Sequence, residues 1–150
     1  MVKHTLKILI VCLILPVLHS GCATAPANPV AAGGPPAVQE LVKSTHSWDG
    51  ARLPDYLPGQ PEITILRITI PAGTRLETHR HPVINAGVLL SGELTVVTMA
   101  GKTLELKAGD PIVEVVNTMH YGINRGDIPA EIIVFYAGAP GIPITVVEQR

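Results

Sequence analysis

Cysteine is nearly missing from this chain. Its 150 residues include two cysteines, Cys12 inside an apolar stretch and Cys22 just beyond it. Everything after Cys22 therefore lacks a disulfide or a thiolate metal site, and any metal there must be held by nitrogen and oxygen. Long apolar runs are missing too: Ile8 to Leu18 (ILIVCLILPVL) falls short of the roughly 20 residues a membrane-crossing helix needs. After residue 44 no stretch sustains a helical apolar period with caps, and no internal repeat divides the chain. Nor is there a strong charge of either sign. With Lys3 and Lys7 set aside, nine basic residues face twelve acidic ones, a balance of −3. That argues against nucleic acid as a partner.

What is present begins with an export layout. Lys3, His4 and Lys7 precede the apolar run, and His19-Ser20-Gly21-Cys22 follows it, so residues 1–21 read as a signal peptide. Gly21-Cys22 resembles the cleavage and lipidation site of bacterial lipoproteins, which implies a lipid on Cys22 and a membrane-anchored place in the bacterial envelope. His19 stands where such sites usually carry Leu. Ordinary cleavage near Ala25 or Ala27, giving a periplasmic or secreted protein, is the competing reading. Residues 22–44, which run on from Cys22 as ATAPANPVAAGGPP (Ala23 to Pro36), lack periodicity, are rich in Pro, Ala and Gly, and read as a flexible tether. Residues 45–150 then suit a single domain with one core.

That domain reads as strands separated by turns. Ile63 to Ile70 alternates β-branched residues and stops at Pro71-Ala72-Gly73. Ala86 to Leu90, Glu93 to Met99, Thr103 to Leu106, Ile112 to Val116, Glu131 to Tyr136 and Ile144 to Glu148 follow, with glycine in nearly every connection. Short, evenly spaced strands predict an all-β antiparallel sandwich or barrel. Ser47 to Pro61, punctuated by Pro and Gly, excludes a helix. Its Trp48 and Tyr56 are large enough to plug a barrel end or reach a second subunit.

The polar residues have a pattern of their own. His79 and His81 stand at i and i+2, so on a strand both imidazoles share a face. His120 follows the turn Asn117-Thr118-Met119. Gly73-x5-His79-x-His81-x3-Asn85-x6-Gly92 resembles the first cupin motif, and Gly109 through His120-x3-Asn124 resembles the second. The resemblance covers Ile63 to Val147 and implies a double-stranded β-helix: a small jelly-roll barrel of six to eight strands with a metal inside one end. Carried over residue by residue, it makes His79, His81 and His120 ligands of a divalent transition metal, whether Fe, Mn, Ni, Cu or Zn. It also implies pairing into a homodimer through the sheets.

This sequence departs from the family at two points. Asn85 stands where the family has a glutamate, and Val115-Val116-Asn117 replaces Pro-x-Gly. Asparagine tolerates the left-handed conformation, so Asn117 is expected to replace that glycine at modest cost. An amide at position 85 leaves a divalent ion its full +2 charge, which predicts weaker retention and open positions for water or an anionic substrate. Asn85 either binds the metal or orients a water beside it. On this reading Asn85→Glu should tighten metal binding.

Other candidates are Glu77, Glu114 and Tyr121 as catalytic groups and Arg75 as an anion holder. Glu77 and Arg75 share the parity of the histidines and would serve as a base and as a substrate contact, unless both are solvated at a strand end. Glu114 lies within PIVEVV and faces either the cavity or the outer water. Tyr121 follows His120 and either donates a hydrogen bond to a ligand or packs in the core.

Three function classes follow. The leading one is a metal-dependent enzyme acting on a small oxygen-rich chelating molecule. Oxygen chemistry of the dioxygenase kind comes first because oxygenases in the resembled family use three-histidine centres, with lyase, isomerase or decarboxylase chemistry behind it. The second is a non-catalytic module that binds a metal or small ligand. The third is a structural envelope protein without metal.

Overall fold

The computed structural model describes residues 34–148. The signal segment, Cys22 and the first part of the tether lie outside the described residues. A compact unit begins at Val38, before the expected boundary at residue 45. Residues 38–46 are exposed, and Leu41 and Val42 lie in a shallow groove with Ala86, Val88 and Phe135.

Nine strands form this unit: β1 (Glu62–Ile70), β2 (His79–Arg80), β3 (Ile84–Ser91), β4 (Glu93–Thr98), β5 (Thr103–Lys107), β6 (Pro111–Val113), β7 (His120–Ile123), β8 (Ala130–Gly138) and β9 (Val146–Val147). No helix occurs among the described residues. The strands make a four-stranded sheet in the order β1-β8-β3-β6 and a five-stranded sheet in the order β5-β4-β7-β2-β9. All named pairings are antiparallel. The expected all-β double-sheet architecture is therefore present.

Alternation along each strand sorts its side chains. In β8, Ala130, Ile132, Val134, Tyr136 and Gly138 are buried while the residues between them are not. With Ile70, Val83, Leu89, Leu94, Val96, Leu106 and Ile112, the first four of these β8 residues build the core. Positive φ values occur where the chain turns, at Gly73, Gly92 and Gly109 of the two motifs. Asn117, with φ of 55°, takes the left-handed conformation expected of it. Its Oδ1 accepts from Arg80 at 2.7 Å and its backbone N–H donates to His81 O at 2.8 Å, which ties this turn to the first motif.

Asn124, the last residue of the second motif, is fully buried. Its Nδ2 donates to Ile70 O and Ile128 O, and its Oδ1 accepts from Gly126 N–H. The side chain thus clamps the β7–β8 connection to the end of β1.

Four strands differ from expectation. β2 and β7 were not marked as strands, and pairing within Ile144 to Glu148 is confined to Val146–Val147. The ladder of β6 ends at Val113, because the chain beyond it crosses to the other sheet, where Val116 bridges His81.

Candidate metal centre

His79 and His120 are direct cross-strand partners on β2 and β7. Opposed residues of an antiparallel pair present their side chains on the same face. The two motifs therefore meet at this rung, with ring centroids 4.5 Å apart. His81, two residues along, turns to the same side, 4.9 Å from the His79 ring and 5.1 Å from the His120 ring. One nitrogen from each ring lies within 4.8 Å of the other two.

The hydrogen bonds decide which nitrogen that is. His79 Nδ1 donates to Glu77 O at 2.7 Å, His81 Nδ1 to Ile144 O at 2.8 Å, and His120 Nδ1 to Thr118 O at 2.8 Å. A carbonyl oxygen can only accept, so each Nδ1 carries the hydrogen and the neutral ring presents an Nε2 lone pair. This is the outer hydrogen bonding that metal-binding histidines make. Burial lowers the pKa of His79, and it lowers that of His81 to about 4, with the neighbouring rings adding to the effect. Neither of these two rings has a proton to lose at neutral pH before it binds a cation.

The rings stand in a cavity of about 300 Å³. Its floor is apolar, with Leu66, Ile68, Leu94, Val96, Ile112, Ile132 and Val134, and its polar wall adds Glu77, Asn85, Glu114, Tyr136 and Thr145. A few converging polar groups over an apolar floor is the usual make-up of a small-molecule site.

The other candidates separate on this geometry. Asn85 is buried in the cavity wall, its Nδ2 3.4 Å from Val83 O. Glu77 is exposed at the rim, and its backbone carbonyl rather than its carboxylate fixes His79. Glu114 is 8% exposed and belongs to the cavity wall, not to the outer face. Its Oε2 lies 3.9 Å from His120 Nε2, while its Oε1 accepts from Trp48 Nε1 at 2.8 Å and from Val115 N–H at 2.8 Å. An acidic side chain thus stands beside the three rings, which corrects the expectation of a site without a protein anion. Tyr121 and Arg75 are not brought to the cavity. Tyr121 alternates with His120 onto the opposite face, and the Arg75 guanidinium stacks 3.7 Å above its ring.

Tyr136 was not singled out from the sequence. It opposes Asn85 across β3 and β8, and it is buried against the His81 ring with centroids 5.4 Å apart. Burial and the Glu114 charge raise the pKa of its phenol, so it stays a hydroxyl. EIIVFY marked it as a strand residue; its cross-strand neighbour is what gives it a chemical setting.

Two sheets closing over a three-imidazole site at one end define a cupin-type jelly-roll barrel. Residues 66–136 match the family model described as Cupin domain. Among solved structures, one described as the crystal structures of DMSP lyases RdDddP and RnDddQII is 17% identical with a TM-score of 0.51, covering 58% of this chain and 44% of that one. A mutant of Bacillus subtilis oxalate decarboxylase OxdC is 23% identical with a TM-score of 0.50, covering 57% of this chain and 23% of that one. An oxalate oxidase in complex with the substrate analogue glycolate is 25% identical with a TM-score of 0.46, covering 55% and 45% respectively. The first two likenesses establish the fold. In all three the matched part is less than half of the other chain's length. No curated protein matches the chain.

Proposed function

We propose that His79, His81 and His120 hold a divalent transition metal and that the domain is a metal-dependent enzyme acting on a small, oxygen-rich molecule that chelates it, with dioxygenase-type chemistry. One observation carries this reading: three Nε2 lone pairs converge at the polar end of an apolar cavity, each ring locked through Nδ1. The bound metal would supply Lewis-acid or redox chemistry to oxygen atoms of the substrate. The rest falls to the chain itself. The apolar floor takes the carbon skeleton, keeps water out and leaves the substrate's oxygens facing the rings. Tyr136, as a neutral phenol, donates a hydrogen bond to a substrate oxygen.

Elemental analysis of the protein from its native compartment, followed by oxygen uptake with a panel of phenolic and diketone compounds, tests the proposal. Bound iron or manganese with uptake supports it. Tight metal and ligand binding with no turnover would instead identify a non-catalytic binding module, and absence of metal after mild purification would leave only a structural role.

The same reading keeps the domain in the envelope, with the segment before Cys22 as its signal and a lipid on Cys22. Labelling with a radioactive fatty acid, lost in Cys22→Ser, checks the anchor. Two copies pair through the outer face of the four-stranded sheet.

A further inference from the structure

Asn85 brings no charge to the site, yet the site has one. Glu114 N–H donates to Asn85 O at 3.0 Å, so the two residues are cross-strand neighbours and both side chains enter the cavity. The Glu114 carboxylate is held asymmetrically. Two N–H groups, from Trp48 and Val115, occupy Oε1, while Oε2 points toward His120 Nε2. A buried carboxylate is costly without a positive partner. No lysine or arginine lines this cavity among the described residues. The ring nearest Oε2 is that of His120, which converges with those of His79 and His81 on one point where a cation could sit.

We propose that Glu114 is the carboxylate of the metal centre, moved one strand across from the position that Asn85 occupies, and that Trp48 is its positioning residue. The inference rests on the metal-binding reading above. With it the protein's ligand set becomes three neutral imidazoles and one anion, so a divalent ion keeps a net charge of +1. Trp48 comes from the segment before β1, 66 residues from Glu114 along the chain, and its backbone N–H is fixed to Val113 O at 2.9 Å. The indole thereby sets the carboxylate's rotation from outside the two motifs.

Cobalt(II) is the probe, followed by its visible spectrum and by competition with a chelator. Glu114→Gln should weaken cobalt binding by on the order of 10- to 100-fold and change the spectrum. In the double variant Asn85→Glu, Glu114→Gln the carboxylate returns to the neighbouring strand, and affinity should recover most of that loss. The recovery also shows that the weaker binding of the single variant is not a folding defect. Trp48→Phe keeps an aromatic ring, though a smaller one, and removes the N–H, and should give an intermediate affinity with a shifted spectrum. Equal affinity and an identical spectrum for wild type and Glu114→Gln would overturn the assignment, and the same result for Trp48→Phe would remove its positioning role. Failure of the wild-type protein to bind cobalt would instead sink the metal reading underneath.

Discussion

A histidine whose Nδ1 donates to a carbonyl has only its other nitrogen left to offer, and burial then decides whether that nitrogen is protonated. For His81 the removal from water dominates: the pKa falls from 6.5 to about 4, although the Ile144 carbonyl favours the protonated ring. The unfolded chain therefore takes up a proton at higher pH than the folded one. Stability of the metal-free protein is fully present above pH 6.5 and declines as the pH falls toward about 4. The loss from this one group is about 3 kcal/mol, and His79, shifted the same way, adds to it. Urea denaturation of chelator-treated protein between these limits should show the slope, and His81→Gln should flatten it; an unchanged slope in that variant would place its origin elsewhere. At the same scale the expected gain from Asn85→Glu needs revision. A second carboxylate beside Glu114 meets a like charge across one rung, so the tighter binding should emerge only once Glu114 is neutral.

Turns show which parts of this fold are stored in single residues. Gly92, between β3 and β4, has φ of 72°, and a Cβ there would lie 2.7 Å from Pro129 O and 2.9 Å from Ala130 Cα. Gly101, between β4 and β5, has φ of 84° but nothing within 4 Å of an added Cβ. Gly101→Ala should then cost only the backbone strain, about 1–2 kcal/mol. Gly92→Ala should cost clearly more, because backbone atoms of the β7–β8 connection cannot step aside. Thermal melts of the two variants measure the difference, and equal losses would contradict the packing described. The long strands were legible because their apolar period matched the ladder: Ile63 to Ile70 against an observed Glu62–Ile70, and Thr103 to Leu106 against Thr103–Lys107. β2 was not, since two residues carry no period, whereas the strand expected over Ile144 to Glu148 is present but pairs only at Val146–Val147. β7 (HYGI) mixes an inward histidine, an outward tyrosine and a glycine, and its alternation shows only once His120 is known to face inward. The three histidines were readable as a spacing. Glu114 was readable only as a charge in an apolar run, because what aims it is a tryptophan from a segment with no regular structure.

At the scale of the domain the unexplained quantity is the outer face of the four-stranded sheet. Ile63 (61% exposed) and Ile65 (54%) of β1 stand beside Ala137 and Phe135 (48%) of β8. Ala86 and Val88 of β3, and Pro111 and Val113 of β6, continue the apolar rows, and Leu41 and Val42 flank part of them. Polar groups gather at one end, where Arg67 pairs with Glu131 at 3.0 Å. An apolar sheet face of this extent calls for a partner. A second copy suits it best, since a two-fold axis through such a face brings like rows against like and leaves the paired charges at the rim. Sedimentation should therefore show a dimer. Phe135→Glu should give a monomer that binds cobalt as tightly as wild type, because position 135 alternates away from Val134 and Tyr136, which line the metal cavity. Wild-type protein sedimenting as a monomer would sink this arrangement, whereas dissociation accompanied by loss of metal would show that the dimer and the site are built on one another.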